Sequence, residues 1–525
     1  MVQGGFMLRE RRNALAFWFG SALVTVGVVL HLPMYWMGRN MGFRLAGMPM
    51  DTGMLVGMGV IALGVIVAGY GLLPGPAPPI KDDAVRRLVP PEDAPLTAAH
   101  WMLMTVLAAA LVIDIMKPAS LGFVLPGMRA EYGVSTATVA WFPFSALVGT
   151  VVGSFVWGAL ADLYGRRATI LLSSVMFIGT AICGAMPSLW WNVAMCFLMG
   201  AAAGGMLPVA YALLAELMPT KHRGWSLVLV GGIGAVGGYL AASFLSSVLQ
   251  PVFSWRIMWF LNLPTGLMMI ALSPLLPESA RFLQHMGRMD EARAVLAKFG
   301  TAVVTSKETE EEKHDFSHLP PVSHEYFGTT IALTVTALMW SLVNFGLLLW
   351  LPSALVAEGN SVGLTSAIIA RSTLIAAPTI LLATYLYSAW STKGALMTMI
   401  VTTTVGLVAL LLRESRTIPF LESPVLPLVL IIVGSTGVIS MLLPYAAESY
   451  PLKVRGRATG WIAGWSKLGG LIAQGLATLA VIPAIGTAAG GIAGISVLSL
   501  GLIAVFGHET RGRDLRQLEG LTDRA

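Results

Sequence analysis

Charge is what this chain most lacks. Asp, Glu, Lys and Arg make up 11% of its 525 residues, less than half the ~25% of a soluble globular domain. The surface of several soluble domains cannot be built from so few. Cysteine is nearly absent too. Cys183 and Cys196 are the only two, and both sit in apolar runs, which excludes a secreted disulfide scaffold. Walker, HExxH, GxSxG and paired CxxC motifs are missing, so nothing points to an enzyme, a cofactor or a catalytic residue. His314, His318 and His324 are too loosely spaced, and too far from any cysteine, to make a metal site. What is abundant is apolar: 56% of residues are hydrophobic, which excludes disorder and indicates an all-α polytopic membrane protein.

About 20 apolar residues span ~30 Å of hydrocarbon as a helix. Such runs occur at 14–36, 52–73, 101–126, 137–160, 168–187, 190–215, 225–249 and 255–276. After a polar stretch they resume at 327–356, 364–389, 394–412, 424–447, 457–482 and 485–507. That predicts fourteen helices. The first run follows Arg9, Arg11 and Arg12, but it is too long for a signal-peptide core and lacks a small-residue cleavage pattern, so it reads as a retained helix.

The 33 basic residues orient the chain. With the N-terminus inside, 24 fall in cytoplasmic segments and six (Arg39, Arg44, Arg129, Arg256, Arg413, Arg416) in opposite loops. Lys117, Arg371 and Lys467 fall within spans. The positive-inside rule then predicts a bacterial inner or plasma membrane protein with both termini and the linker cytoplasmic. The formal +6 comes mostly from topogenic residues and implies no nucleic-acid partner. Within the linker, 278–299 reads as an amphipathic helix and 305–321 as a flexible stretch.

The chain also repeats itself. Glu216-Leu-Met-Pro219-Thr-Lys-His-Arg223-Gly224 returns as Glu448-Ser-Tyr-Pro451-Leu-Lys-Val-Arg455-Gly456, 232 residues on. Gly237-Gly238 matches Gly469-Gly470 at the same offset, and Pro277-Glu278-Ser279 is answered by His508-Glu509-Thr510 at 231. A common offset predicts two homologous halves, an architecture in which secondary transporters hold substrate at mid-membrane between the repeats. The expected organisation is an N-terminal extension with two helices (1–98), a six-helix bundle (99–276), a linker (277–326), a second six-helix bundle (327–508) and a tail (509–525).

These residues carry a resemblance. Gly158-Ala-Leu-Ala-Asp162-Leu-Tyr-Gly165-Arg166-Arg167 resembles the signature loop of the major facilitator superfamily. Pro277-Glu278-Ser-Ala-Arg281 and Glu509-Thr-Arg511-Gly512 resemble the half-ending motifs of its sugar-porter and organic-ion branches. The resemblance covers roughly 101–520 and implies two pseudo-symmetric six-helix bundles, here preceded by two additional helices. It implies that Gly158, Asp162, Gly165, Arg166 and Arg167 form a conformational latch, and that Glu216 with Arg223 and Glu448 with Arg455 form gating charge networks. Gly158 is expected to permit close helix approach, and Asp162 to accept from a neighbouring helix N-terminus. Leu163 departs from the basic residue usual there. The matching second-half loop, 388–394, has no acid and looks eroded.

Ionisable residues inside spans are functional candidates, because an unpaired charge in hydrocarbon is costly. Asp114 and Lys117 share a helix face and can neutralise each other. Aromatic-acid/proton symporters of the superfamily often carry two acids at this spacing, so the resemblance makes Asp114 a proton acceptor, with Lys117 tuning it or meeting an anionic substrate. Arg371 is divided between carboxylate binding and snorkelling. Lys467 is assigned a gating or structural role near the cytoplasmic end. Cys196 stands where relatives place an arginine tied to proton coupling. Asn344, Tyr211 and Tyr445 are pocket candidates, with Trp141, Phe142, Trp340, Trp461 and Trp465 weaker. Gly232-Ile-Gly234-Ala-Val-Gly237 matches a dinucleotide fingerprint but lies inside a span, where helix packing explains it.

The expected function is secondary active transport of a small organic solute, an organic anion by the charge balance, with protons as the coupling ion. Two alternatives stand beside it: a drug or metabolite exporter, and a non-transporting sensor or assembly protein. The Met- and Gly-rich extension is a candidate surface for a protein partner, and the bilayer is the chain's other partner.

Overall fold

The computed structural model describes residues 11–73, 87–89, 94–300, 303–305, 326–414, 423–450 and 452–511. The three linker histidines, most of 305–321 and the tail after Arg511 lie outside the described residues.

The extension supplies α1 (Arg11–Val29) and α2 (Thr52–Leu72). The first bundle runs α3 (Ala98–Tyr132), α4 (Trp141–Tyr164), α5 (Arg166–Gly179), α6 (Leu189–Ala203), α7 (Met206–Leu217), α8 (Thr220–Phe253) and α9 (Asn262–Leu272). The linker folds into α10 (Ala280–His285) and α11 (Met289–Lys298). The single helix expected over 278–299 is broken at Gly287, whose φ is 72°. The second bundle runs α12 (Phe327–Ser341), a π-helical segment (Leu342–Leu348), α13 (Leu349–Ala357), α14 (Val362–Ala376), α15 (Thr379–Tyr385), α16 (Thr392–Glu414), α17 (Val425–Ser449), α18 (Leu452–Thr478) and α19 (Ile485–Phe506). Pairs such as α6–α7 and α14–α15 each complete one span.

Thirteen helical stretches among the described residues are long and apolar enough to cross a membrane. The expected run 457–482 is also helical, as α18, but it is not among the thirteen, so fourteen remains a count of helical runs. The only regular β-structure among the described residues is a two-stranded antiparallel pair, β1 (Arg87–Val89) on β2 (Val303–Thr305), with Leu88 opposite Val304. It ties the chain after α2 to the linker.

Small residues set the helix spacing, since close backbone approach drives packing in lipid. Gly20 and Gly27 of α1 face Gly57 and Gly64 of α2. A Cβ on Gly20 would stand 2.6 Å from Gly64 O, and one on Gly57 would stand 2.8 Å from Gly27 O. The G-x-G-x-x-G string packs α8 on α3: a Cβ on Gly234 would meet Leu111 Cβ at 2.6 Å.

The extension lies against α5, almost all of which is buried. At the end of the bundle away from the linker, hereafter the far end, Glu131 docks it. Glu131 Oε1 accepts from Leu45 N at 2.7 Å and Ala46 N at 3.0 Å and pairs with Arg256 Nη2 at 2.7 Å. Arg256 also donates to Met186 O at 2.8 Å, and Tyr35 OH donates to Phe253 O at 2.8 Å.

The two bundles meet along α8 with α14 and α17, α4 with α18, and α3 with α13. Ser246 Oγ and Ser366 Oγ lie 2.8 Å apart across this junction.

Candidate functional site

The central charges come from opposite bundles. Asp114 and Lys117 sit near the middle of the 35-residue α3 and are 6% and 2% exposed. Asp114 Oδ1 and Lys117 Nζ make no hydrogen bond, so the expected neutralising contact is not formed. Lys117 Nζ instead lies over the Phe177 ring of α5. Lys467 is the sixteenth of 27 residues in α18, which at 1.5 Å per residue puts it ~22 Å from the linker-end start of that helix. It therefore sits midway along that helix, not near its linker end. Its Nζ is 5.4 Å from the Phe345 ring centroid.

Phe345 belongs to the π-helical segment, an irregularity often found at functional sites. Asn344 occupies the same segment, with Nδ2 donating to Trp340 O at 3.1 Å. Tyr239 of α8 packs from the other bundle against the apolar cluster that includes Trp340, Met116 and Phe123.

Other candidates are placed elsewhere. Arg371 is exposed on the α14–α15 face whose other members, Leu364, Leu374 and Leu381, are 52–66% exposed. That is the outer surface, where an arginine snorkels; it does not face the centre. Tyr211 packs its hydroxyl against Gly231 of α8 within one bundle. Tyr445 is fully buried at the linker end, donating to His508 O at 2.5 Å. Trp461 Nε1 is held by Thr334 Oγ1 at 3.0 Å. Cys196 is buried inside the first bundle.

The signature loop builds a second locus at the linker end. Gly165 takes φ 97°, ψ 161°, a region open essentially to glycine alone. Glu278 then caps the start of α5, its Oε1 accepting from Arg166 N at 2.8 Å and Ser279 N at 2.9 Å. The capping role expected of Asp162 thus belongs to Glu278. Asp162 is 77% exposed and reaches only Arg166, at 3.6 Å. The Arg166 guanidinium pairs with Glu216 at 2.9 Å, Ser279 Oγ donates to the same carboxylate, and Arg167 N adds a longer bond to Glu278 at 3.4 Å. Glu216 is therefore engaged by Arg166, while Arg223 donates to Met218 O at 3.4 Å. Gly158 is not a close-approach glycine, since a Cβ there would meet nothing within 4 Å. Gly149 and Gly153 make that contact instead, on Phe197 and Ala201.

The second half repeats this geometry, with hydroxyl donors among its partners. Glu509 caps α16, accepting from Thr392 N at 2.9 Å, from Thr392 Oγ1 at 2.6 Å and from Ser391 Oγ. Tyr387 OH and Thr510 Oγ1 each donate to Glu448 at 2.8 Å, where the first half uses Arg166 and Ser279. The loop looks eroded in sequence, yet its acid is delivered from the chain following α19. Glu448 Oε1 lies 3.1 Å from where a Gly224 Cβ would stand, so the two halves touch here. The side chain of Arg455 lies outside the described residues.

The two caps shift in opposite directions although burial acts upward on both. Burial raises Glu278 above the usual 4.5, against its backbone hydrogen bonds. Burial also acts upward on Glu509 but is outweighed by its hydroxyl and backbone donors, which hold it down to about 2. A depressed folded pKa stabilises above the unfolded value and is lost as pH falls through the folded one. The Glu509 contribution is thus complete above pH ~4.5 and disappears towards pH ~2, whereas a raised Glu278 favours folding on the acid side. Glu509→Gln is expected to flatten the fall in unfolding midpoint between pH 5 and pH 3, and Glu278→Gln to leave that fall in place. Thermal unfolding in detergent checks both, and identical pH profiles for the two variants would contradict the assignment.

Among the described residues no three His, Cys, Asp or Glu side chains converge as a metal site. Sequence reasoning missed Glu278 and Ser279 as a cap, Tyr387 as a surrogate donor, and Phe345 beside Lys467. The repeat offset did link Glu278 to Glu509, but nothing in the sequence placed either at a helix start.

Two repeated apolar helical bundles, with Asp114 and Lys117 midway along a helix of one and Lys467 midway along a helix of the other, define a solute carrier. The chain belongs to the major facilitator superfamily: the sequence profile described as Major Facilitator Superfamily matches residues 102–474. It is thus a transporter and not an enzyme. It is similar to the niacin transporter NiaP of Acinetobacter baylyi, 24% identical over 445 residues that cover 83% of this chain and 99% of the relative. It is 26% identical over 408 residues to the benzoate transport protein of the same organism, covering 73% of this chain and 83% of that one. A third relative there, the 4-hydroxybenzoate transporter PcaK, is 30% identical over 281 residues, 51% of this chain and 61% of its own. Among solved structures, the partially occluded inward-open xylose transporter XylE from E. coli aligns with a TM-score of 0.64 at 16% identity, covering 80% of this chain and all of that one, which shows the shared fold.

Proposed function

We propose that the chain carries a small organic anion, a monocarboxylate of the aromatic-acid kind, across a bacterial inner membrane by alternating exposure of the junction between its halves. The linker end and both termini are cytoplasmic in this reading, as the distribution of basic residues supports. One observation carries it: Lys467 stands midway along α18 of one bundle beside the Phe345 ring, and Asp114 and Lys117 are buried midway along α3 of the other. A cation next to an aromatic face suits a ring that bears a carboxylate. The names of the relatives, transporters of niacin, benzoate and 4-hydroxybenzoate, support the same class. The loop of Gly165, Arg166 and Arg167, with Asp162, Glu216, Glu448 and Arg223, acts as the conformational latch at the cytoplasmic end.

The test is counterflow of labelled nicotinate and benzoate in proteoliposomes. Saturable exchange is expected, and Lys467→Met should raise the half-saturation concentration by roughly 10–100-fold, as loss of a charge-assisted hydrogen bond does. Thermal stabilisation by these acids without any flux would sink the transport reading in favour of a sensor.

A further inference from the structure

We propose that Gln474 is a positioning residue for the substrate. It holds the π-helical segment Leu342–Leu348 so that the Phe345 ring stands beside Lys467, and through that ring it selects an aromatic acid over an aliphatic one. This role rests on the anion-transport reading above and supplies its preference for a ring.

A glutamine buried in an apolar helix needs partners for both ends of its amide. Gln474, in α18, is 0% exposed and finds both on the neighbouring span. Its Nε2 donates to Phe345 O, and its Oε1 accepts from Trp350 Nε1 at 3.1 Å. A carbonyl only accepts and an indole N–H only donates, so these partners fix which way the amide points. Phe345 lies inside the π-helical segment and Trp350 two residues beyond its end. The amide therefore bridges the point where the segment returns to α-helix.

Lys467, Gly470 and Gln474 are spaced by three and four residues and so share one face of α18. All three meet Phe345. Lys467 Nζ is 5.4 Å from its ring centroid, a Cβ on Gly470 would stand 2.6 Å from its Cβ, and Gln474 takes its carbonyl. Gly470 N also donates at 2.8 Å to Ser341 Oγ, just ahead of the segment. One helix face thus locates the ring, the Cβ and the carbonyl of a single residue. Phe345, Asn344 and Lys467 keep accessible surface, as lining residues must, whereas Gln474 and Ser341 have none.

The other half of the repeat supplies the control. The offset of 232 residues places Ala242 where the second half has Gln474, and Gly237-Gly238 where it has Gly469-Gly470. Gly238 packs on α3 much as Gly470 packs on Phe345, since a Cβ there would meet Ile115 Cβ at 2.8 Å. Alanine offers α3 no amide, and α3 is α-helical through all 35 residues. Proline does not explain the difference: α3 contains Pro118 and Pro126, and Pro352 follows the π-helical segment. The π-turn goes with the glutamine, and such turns occur frequently at functional sites. Reverting to i→i+4 pairing changes the helical phase across the segment by one residue, ~100°. That rotation carries the Phe345 ring away from Lys467.

Counterflow in proteoliposomes at neutral pH tests this with labelled benzoate and labelled cyclohexanecarboxylate. The two anions have the same charge and nearly the same size, and only one has an aromatic face. Flux into protein-free vesicles is subtracted. The wild type is expected to half-saturate at a lower concentration of benzoate. Gln474→Leu, similar in volume but without the amide, is expected to raise the half-saturation concentration for benzoate roughly three- to tenfold, the worth of an aromatic pair. The value for cyclohexanecarboxylate and both maximal rates should stay as they were. Partial misfolding would instead lower both maximal rates, and it cannot change the ratio of the half-saturation concentrations. Trp350→Phe removes only the donor that orients the amide and is expected to shift that ratio in the same direction by less. It decides the matter if Gln474→Leu does not fold. An unchanged ratio, or a wild type that does not prefer benzoate, overturns the inference and leaves the anion-transport reading intact. Absence of saturable flux of either acid in the wild type overturns both.

Discussion

Arg256→Met is expected to lower the stability of the detergent-solubilised protein by about 3–5 kcal/mol, the cost of leaving a buried carboxylate without its cation. The Arg256 and Glu131 side chains are 0% and 4% exposed, so water cannot take over the lost contact. Glu131 also holds Leu45 N and Ala46 N, and its disturbance should free the loop between α1 and α2. Trypsin cleavage at exposed Arg44 should accelerate alongside the drop in unfolding midpoint. Glu131→Gln keeps an acceptor for the two amides and should cost less. The double variant Glu131→Gln/Arg256→Met should fall well short of the sum of the singles, because both act on one contact. A loss below about 0.5 kcal/mol with unchanged cleavage, the size of an ordinary surface substitution, would show that the pair does not dock the extension.

Gly165→Ala should abolish most transport while the protein still reaches the membrane. Its φ of 97° and ψ of 161° cost an alanine on the order of 1–3 kcal/mol. The new Cβ would also stand 2.6 Å from the Glu278 carboxylate. Either α5 shifts or Glu278 withdraws from Arg166 N and Ser279 N, and both moves displace Arg166 from Glu216. An initial rate of nicotinate or benzoate exchange at least tenfold below wild type is expected, with near-normal expression. A full rate would mean that the loop geometry does not govern the conformational cycle.

Most of the fold was legible because its causes are one-dimensional. Apolar runs show up as composition, and the duplication shows up as a repeated offset between Glu216 and Glu448. Residue type also marked Asp114, Lys117 and Lys467 as unusual. Facing was not legible. Arg371 and Lys467 look alike in sequence, both single cations inside apolar helices, and only packing sends one to the outer surface and the other to the junction. Gly158 and Gly153 differ by little more than one helical turn, yet one meets open space and the other an adjacent backbone. Tyr445 reads as a pocket aromatic until the chain after α19 folds back to place His508 O within reach of its hydroxyl. Tyr387 carried no signal at all, because its role depends on the π-helical segment Leu386–Trp390 and on a threonine more than a hundred residues later.

The cover that α1 and α2 place over α5 has a consequence for the bilayer. Annular lipid on that flank meets the extension and not the transporter bundle. With 21 residues, α2 measures ~32 Å at 1.5 Å per residue, matched to a hydrocarbon core of ~30 Å. The 35- and 34-residue helices α3 and α8 far exceed that thickness and must tilt or project from it. Mismatch forces, fractions of a kcal/mol per Å, are therefore expected at α3 and α8 and not at α2.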